Sequence, residues 1–482
     1  MTSENLLREV NGVIWPGFLG ATLPDWLRTA LREGLAGVVY FRQNIESAAQ
    51  LTGLSQQIRE LNPAAIIGVD EEGGNVTRLQ SKTGSELPGA AVLGRIDDPE
   101  LTAAAGAWIG RLCREYGINL TIAPVADVNT NPMNPVIGVR SFGSETDLVA
   151  RHTAAMVRGI QSAGVAACAK HFPGHGDTHT DSHLGLPVLD FDLARLVSEH
   201  LPPFQAAAEA GAMAVMTAHI VLSDLGDAPA TINPEALAML RDTGFDGVLA
   251  TDALDMAAIR ATIGSGRGAV RAILAGADLL CVGNPDNPRD GVAQPTGPTV
   301  DEADYLEIRD ALLAAVESGE IPRERLTEAY RRNQRLTARL QAPQPTASDA
   351  SGPDWVAVAA RACQGSARLP DSVLDAGRLS IKDLRRDPNM AVGRSLDYFS
   401  IAFAEKFDLQ QNATPDLVII DAQISQADPE QRRELARLAA ANPELICLNT
   451  GLAGTDLTVP TLTTFGSSRV SAQAAVRRLT AR

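Results

Sequence analysis

Residues 37–70 read GVVYFRQNIESAAQLTGLSQQIRELNPAAIIGVD and contain a strand, a helix and a second strand in that order. The run 37–41 is β-branched and aromatic, the stretch 48–61 is amphipathic, and 65–69 is apolar again, ending at Asp70. The same alternation continues in both directions. Apolar runs occur at 12–15, 37–41, 65–69, 120–125, 165–169, 212–217, 247–250 and 278–282. Helical stretches at 25–33, 48–61, 101–116, 148–163, 193–210, 234–242 and 266–275 lie between them. A train of βα units implies a parallel sheet. Eight such units in roughly 300 residues predict an α/β fold of the (β/α)8 TIM-barrel type over residues 1–341. An open doubly wound sheet is the alternative, but it usually stops at fewer strands.

Residues 342–354, APQPTASDASGPD, have the small, Pro- and Ser-rich composition of a linker. Beyond it, 355–482 carries the β runs 416–421 and 444–448 with helical stretches at 355–368, 430–441 and 471–480. That pattern predicts a small α/β sandwich domain without a catalytic signature. The Pro-, Asn- and Gly-rich stretch 284–299 reads as a long loop after the eighth strand.

The 482 residues carry 58 acidic and 42 basic side chains, a net charge of −16. This balance disfavours nucleic acid or an anionic membrane as partner, since both select a basic face. Cys113, Cys168, Cys281, Cys363 and Cys447 are scattered and never in CxxC spacing. They read as reduced core thiols rather than a disulfide framework or a structural zinc site. The N-terminus lacks the basic start and apolar core of a secretory signal, and no run of about 18 apolar residues occurs. The expectation is a cytoplasmic protein with no membrane span.

In a (β/α)8 barrel the chemistry gathers just past the C-terminal strand ends. The polar residues found there are Asp70, Asp127, Lys170, His171, His219 and Asp252. One strand-end Asp is usually a helix cap; several ionisable groups at five strand ends point to an active site. The densest segment is KHFPGHGDTHTDSHLGLP, residues 170–187, with four of the seven histidines at 171, 175, 179 and 183. Pro173, Gly174 and Gly176 oppose the helix that would stack them as metal ligands, so the segment reads as a loop over the barrel mouth. His175, Asp177 and His179 are expected to bond their own backbone.

This segment resembles the signature of the family 3 glycoside hydrolases, in their β-N-acetylglucosaminidase branch. GVDEEGGNVTRL (68–79), NPVIGVRSFG (134–143), ATDALDM (250–256) and GLAGVVYFRQNI (34–45) fit the family in the same order. The resemblance covers the whole first domain, and more faintly the sandwich that follows the barrel in two-domain members. It implies Asp252 as nucleophile, His183 as acid/base and Asp181 as the carboxylate that orients it. It implies that Asp70, Arg140, Lys170 and His171 hold the hydroxyls and acetamido group of the −1 sugar, with Arg78 and His219 in support. Two departures stand out. Family members often carry Arg after the Gly-Gly pair, where this chain has Asn75. The second domain also offers no obvious residue that reaches the sugar.

The residues themselves agree with these roles. A retaining glycosidase needs a carboxylate nucleophile and a group that protonates the leaving oxygen. A histidine held by a neighbouring carboxylate can serve the second role near neutral pH. Gly174, Gly176 and Gly185 would let its loop swing over bound sugar. Asp255 is the rival nucleophile, but it is better read as a helix cap than as a strand-end group. The function expected is a retaining exo-β-N-acetylglucosaminidase acting on a small carbohydrate, for example a GlcNAc-containing peptidoglycan fragment. No metal or organic cofactor is implied. The alternatives are a β-N-acetylglucosaminide phosphorylase, because a histidine does not repel phosphate as a carboxylate would, a β-glucosidase and a non-catalytic sugar-binding protein.

Overall fold

The computed structural model of the protein describes residues 3–180, 185–260, 262–287, 299–342, 352–385, 397–411, 413–421, 429–452 and 457–481. Each of the eight expected runs holds a strand: β1 Ile14–Trp15, β2 Gly37–Tyr40, β3 Ile66–Val69, β4 Leu120–Thr121, β5 Ala166–Phe172, β6 Ala214–Thr217, β7 Val248–Ala250 and β8 Leu280–Cys281. Strands β2 to β7 form one parallel sheet in chain order. A parallel bridge from Ala250 to Leu279 joins β7 to the start of β8, and β8 pairs with β1 at Ile14–Leu280 and Trp15–Cys281. Val39 N–H donates to the Pro16 carbonyl at 2.9 Å, which brings β1 beside β2 and closes the ring.

Both faces of these strands are buried, which is why they read as unbroken apolar runs. In β3, Ile66 joins an interior cluster with Trp15, Leu120, Cys168, Met216 and Cys281. Ile67 and Val69 face the surrounding helices. Trp15 crosses the barrel interior, and its Nε1–H donates to the Ile66 carbonyl at 2.9 Å. Gly68 makes room for it, since a Cβ there would lie 2.0 Å from the indole ring. The helices show matching local logic. Ala48–Leu61 starts at Ser47, whose Oγ accepts from Gln50 N–H, and buries Leu51, Leu54 and Ile58 at helical spacing.

The C-terminal region forms a second parallel sheet of β9 Ile381–Asp383, β10 Leu417–Ile420, β11 Ile446–Asn449 and β12 Thr461–Thr463, in that order. Its helix Trp355–Ala362 packs on the barrel helix Ala90–Ile96. The apolar core runs without a break from the outer layer of the barrel into this region. Polar contacts add to it: Ser467 N–H donates to Asn75 Oδ1 at 2.8 Å, Arg469 pairs with Glu86 at 3.6 Å, and Arg95 lies 4.8 Å from the Phe465 ring centre.

All five cysteines are buried and free. Among the described residues no helix is long and apolar enough to cross a membrane. Much of the expected linker 342–354 and of the loop 284–299 lies outside the described residues. The expected helix 193–210 is broken. A π-turn at Leu196–His200 separates a short first turn from the helix Pro202–Glu209. Proline at 202 and 203 suits a helix start and not a helix middle.

Candidate active site

The C-terminal strand ends open into a cavity of about 270 Å³ whose lining includes Asp70, Glu72, Arg78, Arg140, Lys170, His171, His175 and Asp252. Asp70 directly follows β3, Lys170 and His171 stand near the end of β5, and Asp252 lies two residues past β7. Asp70, Lys170, His171 and Asp252 are therefore set on or beside a barrel strand, which fixes them better than a free loop would.

Five of these groups form one ionic network. Lys170 Nζ donates to Asp70 Oδ1 at 2.6 Å and contacts Glu72 Oε1 at 2.7 Å. Arg140 grips Glu72 with two bonds, Nε to Oε2 at 3.0 Å and Nη2 to Oε1 at 2.7 Å. Arg78 approaches Asp70 at 3.8 Å. Burial alone would raise the carboxyl pKa of Asp70, but Lys170 and Arg78 outweigh it and hold the group below the usual range. Glu72 is also driven down against burial, chiefly by Arg140 and Lys170. Asp70 thus stays ionised at the cavity wall, where it can accept from ligand hydroxyls, while the cations beside it can donate.

Glu71, between them, points away from the cavity. It is fully buried, and its Oε2 accepts from the backbone N–H groups of Arg78 and Leu79, both at 3.0 Å. That clamp shapes the turn which returns Arg78 to Asp70. Burial pushes the Glu71 carboxyl up to about 7.

Asp127 organises the other side. His171 Nδ1 donates to Asp127 Oδ2 at 2.7 Å, and Asp127 Oδ1 accepts the His175 N–H at 2.6 Å. Burial opposes its charge, yet His171 and His175 together keep its pKa below the ordinary value. Fixing Nδ1 in this way sets the imidazole tautomer and leaves Nε2 for a ligand. His175 also bonds Thr178 Oγ1 at 2.7 Å, Asp177 accepts from Thr130 at 2.6 Å, and His179 meets Asn131 at 3.2 Å. Gly176 provides close packing rather than freedom to swing, since a Cβ there would sit 1.9 Å from the Val128 carbonyl oxygen.

Asp252 lines the cavity, and its Oδ1 accepts the Ala253 N–H at 2.7 Å. Asp255 does not line it. Its carboxylate is turned against Gly283 and accepts from Asn287 at 3.3 Å. His219 also lies off the cavity wall, bonding Thr231 Oγ1 at 2.9 Å and the Ala253 carbonyl at 2.8 Å. It braces the turn that carries Asp252.

Six expected site residues therefore meet in one cavity: Asp70, Arg78, Arg140, Lys170, His171 and Asp252. Asp181 and His183 lie outside the described residues. The sequence places Asp127 among the strand-end candidates without giving it a role, and it does not single out Glu72. It also missed Tyr398, Ser467 and Ser468, which reach the cavity from the C-terminal region with no local signal.

Residues 24–336 match the glycosyl hydrolase family 3 N terminal domain. The chain is 36% identical over 335 residues to a β-hexosaminidase of Xylella fastidiosa, covering 65% of this chain and 98% of that one. It is 32% identical over 354 residues to β-hexosaminidase A of Pseudoalteromonas piscicida. That match takes in 68% of this chain but spans only 57% of the length of that relative. The solved structure of a family 3 β-N-acetylglucosaminidase from Paenibacillus sp. FPU-7 superposes with a TM-score of 0.84 at 30% identity, covering 100% of this chain and 97% of that one.

Proposed function

Because this chain belongs to glycosyl hydrolase family 3 and is a glycoside hydrolase of the β-hexosaminidase kind, we propose that it is a retaining exo-β-N-acetylglucosaminidase. The observation that carries this reading is the meeting, in one cavity, of a strand-end carboxylate and a charged wall suited to sugar hydroxyls. Asp252 is the carboxylate; Asp70, Lys170, Arg140 and His171 form the wall.

In the proposed reaction Asp252 attacks C1 of the −1 sugar. The bond from C1 to the leaving oxygen breaks, and a carboxylate–C1 bond forms with inversion. The leaving oxygen takes a proton from His183, whose assignment, like that of its partner Asp181, rests on the sequence motif. Water then attacks C1 and gives its proton to His183, and Asp252 departs with a second inversion. Asp70 and Lys170 bind the ring hydroxyls, while His171, set by Asp127, and Arg140 receive the hydroxyl and acetamido side. The off-cavity orientation of Asp255 supports Asp252 as nucleophile. The proposal extends to peptidoglycan-derived fragments as substrates, which the resemblance implies, and to a reducing, cytoplasmic location, which suits five cysteines that are buried and free.

Product analysis with an aryl β-N-acetylglucosaminide, with and without millimolar phosphate, tests the reading. Free GlcNAc at a rate indifferent to phosphate is expected. GlcNAc 1-phosphate, formed at a rate that climbs with phosphate, would make the enzyme a phosphorylase. No turnover under either condition would overturn the assignment to N-acetylglucosaminides.

A further inference from the structure

The helix Arg323–Gln341 carries arginine at 323, 325, 331, 332, 335 and 339 and glutamate only at 324 and 328, in a chain of net charge −16. At about 3.6 residues per turn, Arg332, Arg335 and Arg339 fall on one face. All three line a cavity of about 340 Å³ at the N-terminal ends of β6 and β7. Val248, the first residue of β7, lies in its wall, whereas Asp252 stands past the other end of that strand. The two cavities therefore occupy opposite ends of the barrel. Gly211 and Gly244 keep another part of the wall open, since a Cβ on either would meet nothing within 4 Å. Asp246 is the one carboxylate among the described lining residues. Its side chain is 76% exposed and meets Arg335 Nη2 at 3.3 Å and Arg332 Nε at 3.6 Å. Both contacts are longer than the roughly 2.7–2.9 Å of a good charge-assisted bond. The Arg332 Nε–H is buried and has no hydrogen-bond partner among the described residues. Its Nη1 is tied inward, to Glu328 at 2.7 Å and Asp278 at 3.3 Å, so the guanidinium is held in place with one donor unused.

We propose that this cavity is a second binding site, remote from Asp252, for a phosphate dianion, either free or as the head of a phosphomonoester. Three guanidinium groups against one carboxylate leave the described lining with two positive charges in excess, which a phosphate dianion balances. Arginine forks match the oxygens of phosphate, and a phosphate offers more acceptors than the carboxylate now between Arg332 and Arg335. It can take the unused Arg332 Nε–H together with Arg335 and Arg339, while Asp246 turns into the solvent that already surrounds most of it. Met213, Phe245 and Leu336 add apolar surface beside the cations, where the organic body of a monoester can pack.

The test is calorimetric titration of the full chain with inorganic phosphate and with glucose 6-phosphate at low ionic strength. Millimolar GlcNAc is present throughout, because the cations around Asp70 could also attract an anion. Saturable binding of one equivalent is expected. Tighter binding of glucose 6-phosphate would make the monoester the ligand; tighter binding of phosphate would make it the free ion. In the double variant Arg335→Gln, Arg339→Gln, both exposed positions, the Kd should rise at least about tenfold, as loss of charged hydrogen bonds does. Asp246→Asn, which removes the competing carboxylate, should bind more tightly than the parent. Thermal melts verify folding, and kcat/KM on an aryl β-N-acetylglucosaminide should stay at the parent value in both variants. No saturable binding of either probe, an unchanged Kd in the double variant, or weaker binding by Asp246→Asn would overturn the proposal.

Discussion

The barrel buries one ionic cluster at each end of its strands, and the two differ in what they face. At the C-terminal ends, Asp70, Lys170, Glu72 and Arg140 interlock on the wall of a cavity. At the N-terminal ends, Asp278 precedes β8 and receives Arg241 at 2.5 Å, Arg325 at 2.7 Å and Arg332 at 3.3 Å. It also accepts the Leu249 N–H at 3.1 Å. None of these four charged residues lines the active-site cavity. Arg325 and Arg332 belong to the helix Arg323–Gln341, so this cluster ties that helix to β7 and β8 where the ring closes. The same chemistry thus joins strands at one end and lines an open cavity at the other, where the proposed function has it hold the sugar. What separates the roles is the cavity that holds Asp252, not the strength of the charges.

That contrast can be broken by substitution. Asp252→Asn should cost about six orders of magnitude in kcat, as removal of a nucleophile does in other hydrolases. It should leave the unfolding midpoint nearly unchanged, which steady-state kinetics and a thermal melt check together. Asp278→Asn should do the opposite. Three guanidinium groups would lose their buried anion, a loss of about 3–5 kcal/mol by denaturant titration, while kcat of the folded fraction stays near the parent value. A selective loss of kcat in Asp278→Asn would erase the distinction between the two ends.

Glu71 sharpens the comparison through pH. Its carboxyl is raised from 4.5 to about 7, so between those values the folded protein keeps a proton that the unfolded chain has released. Stability contributed by this group is full below pH 4.5 and declines as pH rises to 7. Glu71→Gln should flatten that decline, by at most about 3 kcal/mol, because the amide oxygen can still accept from Arg78 and Leu79. Urea titrations at pH 5 and pH 8 measure it; an identical pH slope in the variant would contradict the assignment. The smallest effect is expected at Asp127. Asp127→Asn retains most of the size but loses the charge beside His171, and kcat/KM should fall roughly 10- to 100-fold, with the larger part in KM. A fall confined to stability would mean that Asp127 only packs.

Much of this molecule was legible from its sequence because a closed parallel barrel imposes a simple code. Its strands are mostly apolar on both faces, its helices mostly amphipathic, and the cavity-lining groups stand at or just past the strand ends. Those grounds alone set Asp70, Lys170, His171 and Asp252 at the strand ends that the structure gathers around one cavity. Other features depend on pairings across the chain. Nothing near Glu72 indicates that Arg140, 68 positions later, will grip it with two bonds. The departure at Asn75 gains its meaning only from Ser467, 392 positions away. His219 shows the limit of the strand-end rule: it has the right address, yet its ring faces Thr231 and the Ala253 carbonyl instead of the cavity. Gly176 in the histidine-rich segment misleads in the same way, since it is there for contact with Val128.

The most direct test of the account is to trap the glycosyl-enzyme with a slow fluorinated N-acetylglucosamine donor and map the modified residue by peptide mass spectrometry. The account predicts one added sugar, carried by Asp252, in a peptide that also contains the unmodified Asp255. A sugar on Asp255, Glu71 or Glu72, or full turnover of the donor with no covalent adduct on any carboxylate, would contradict it.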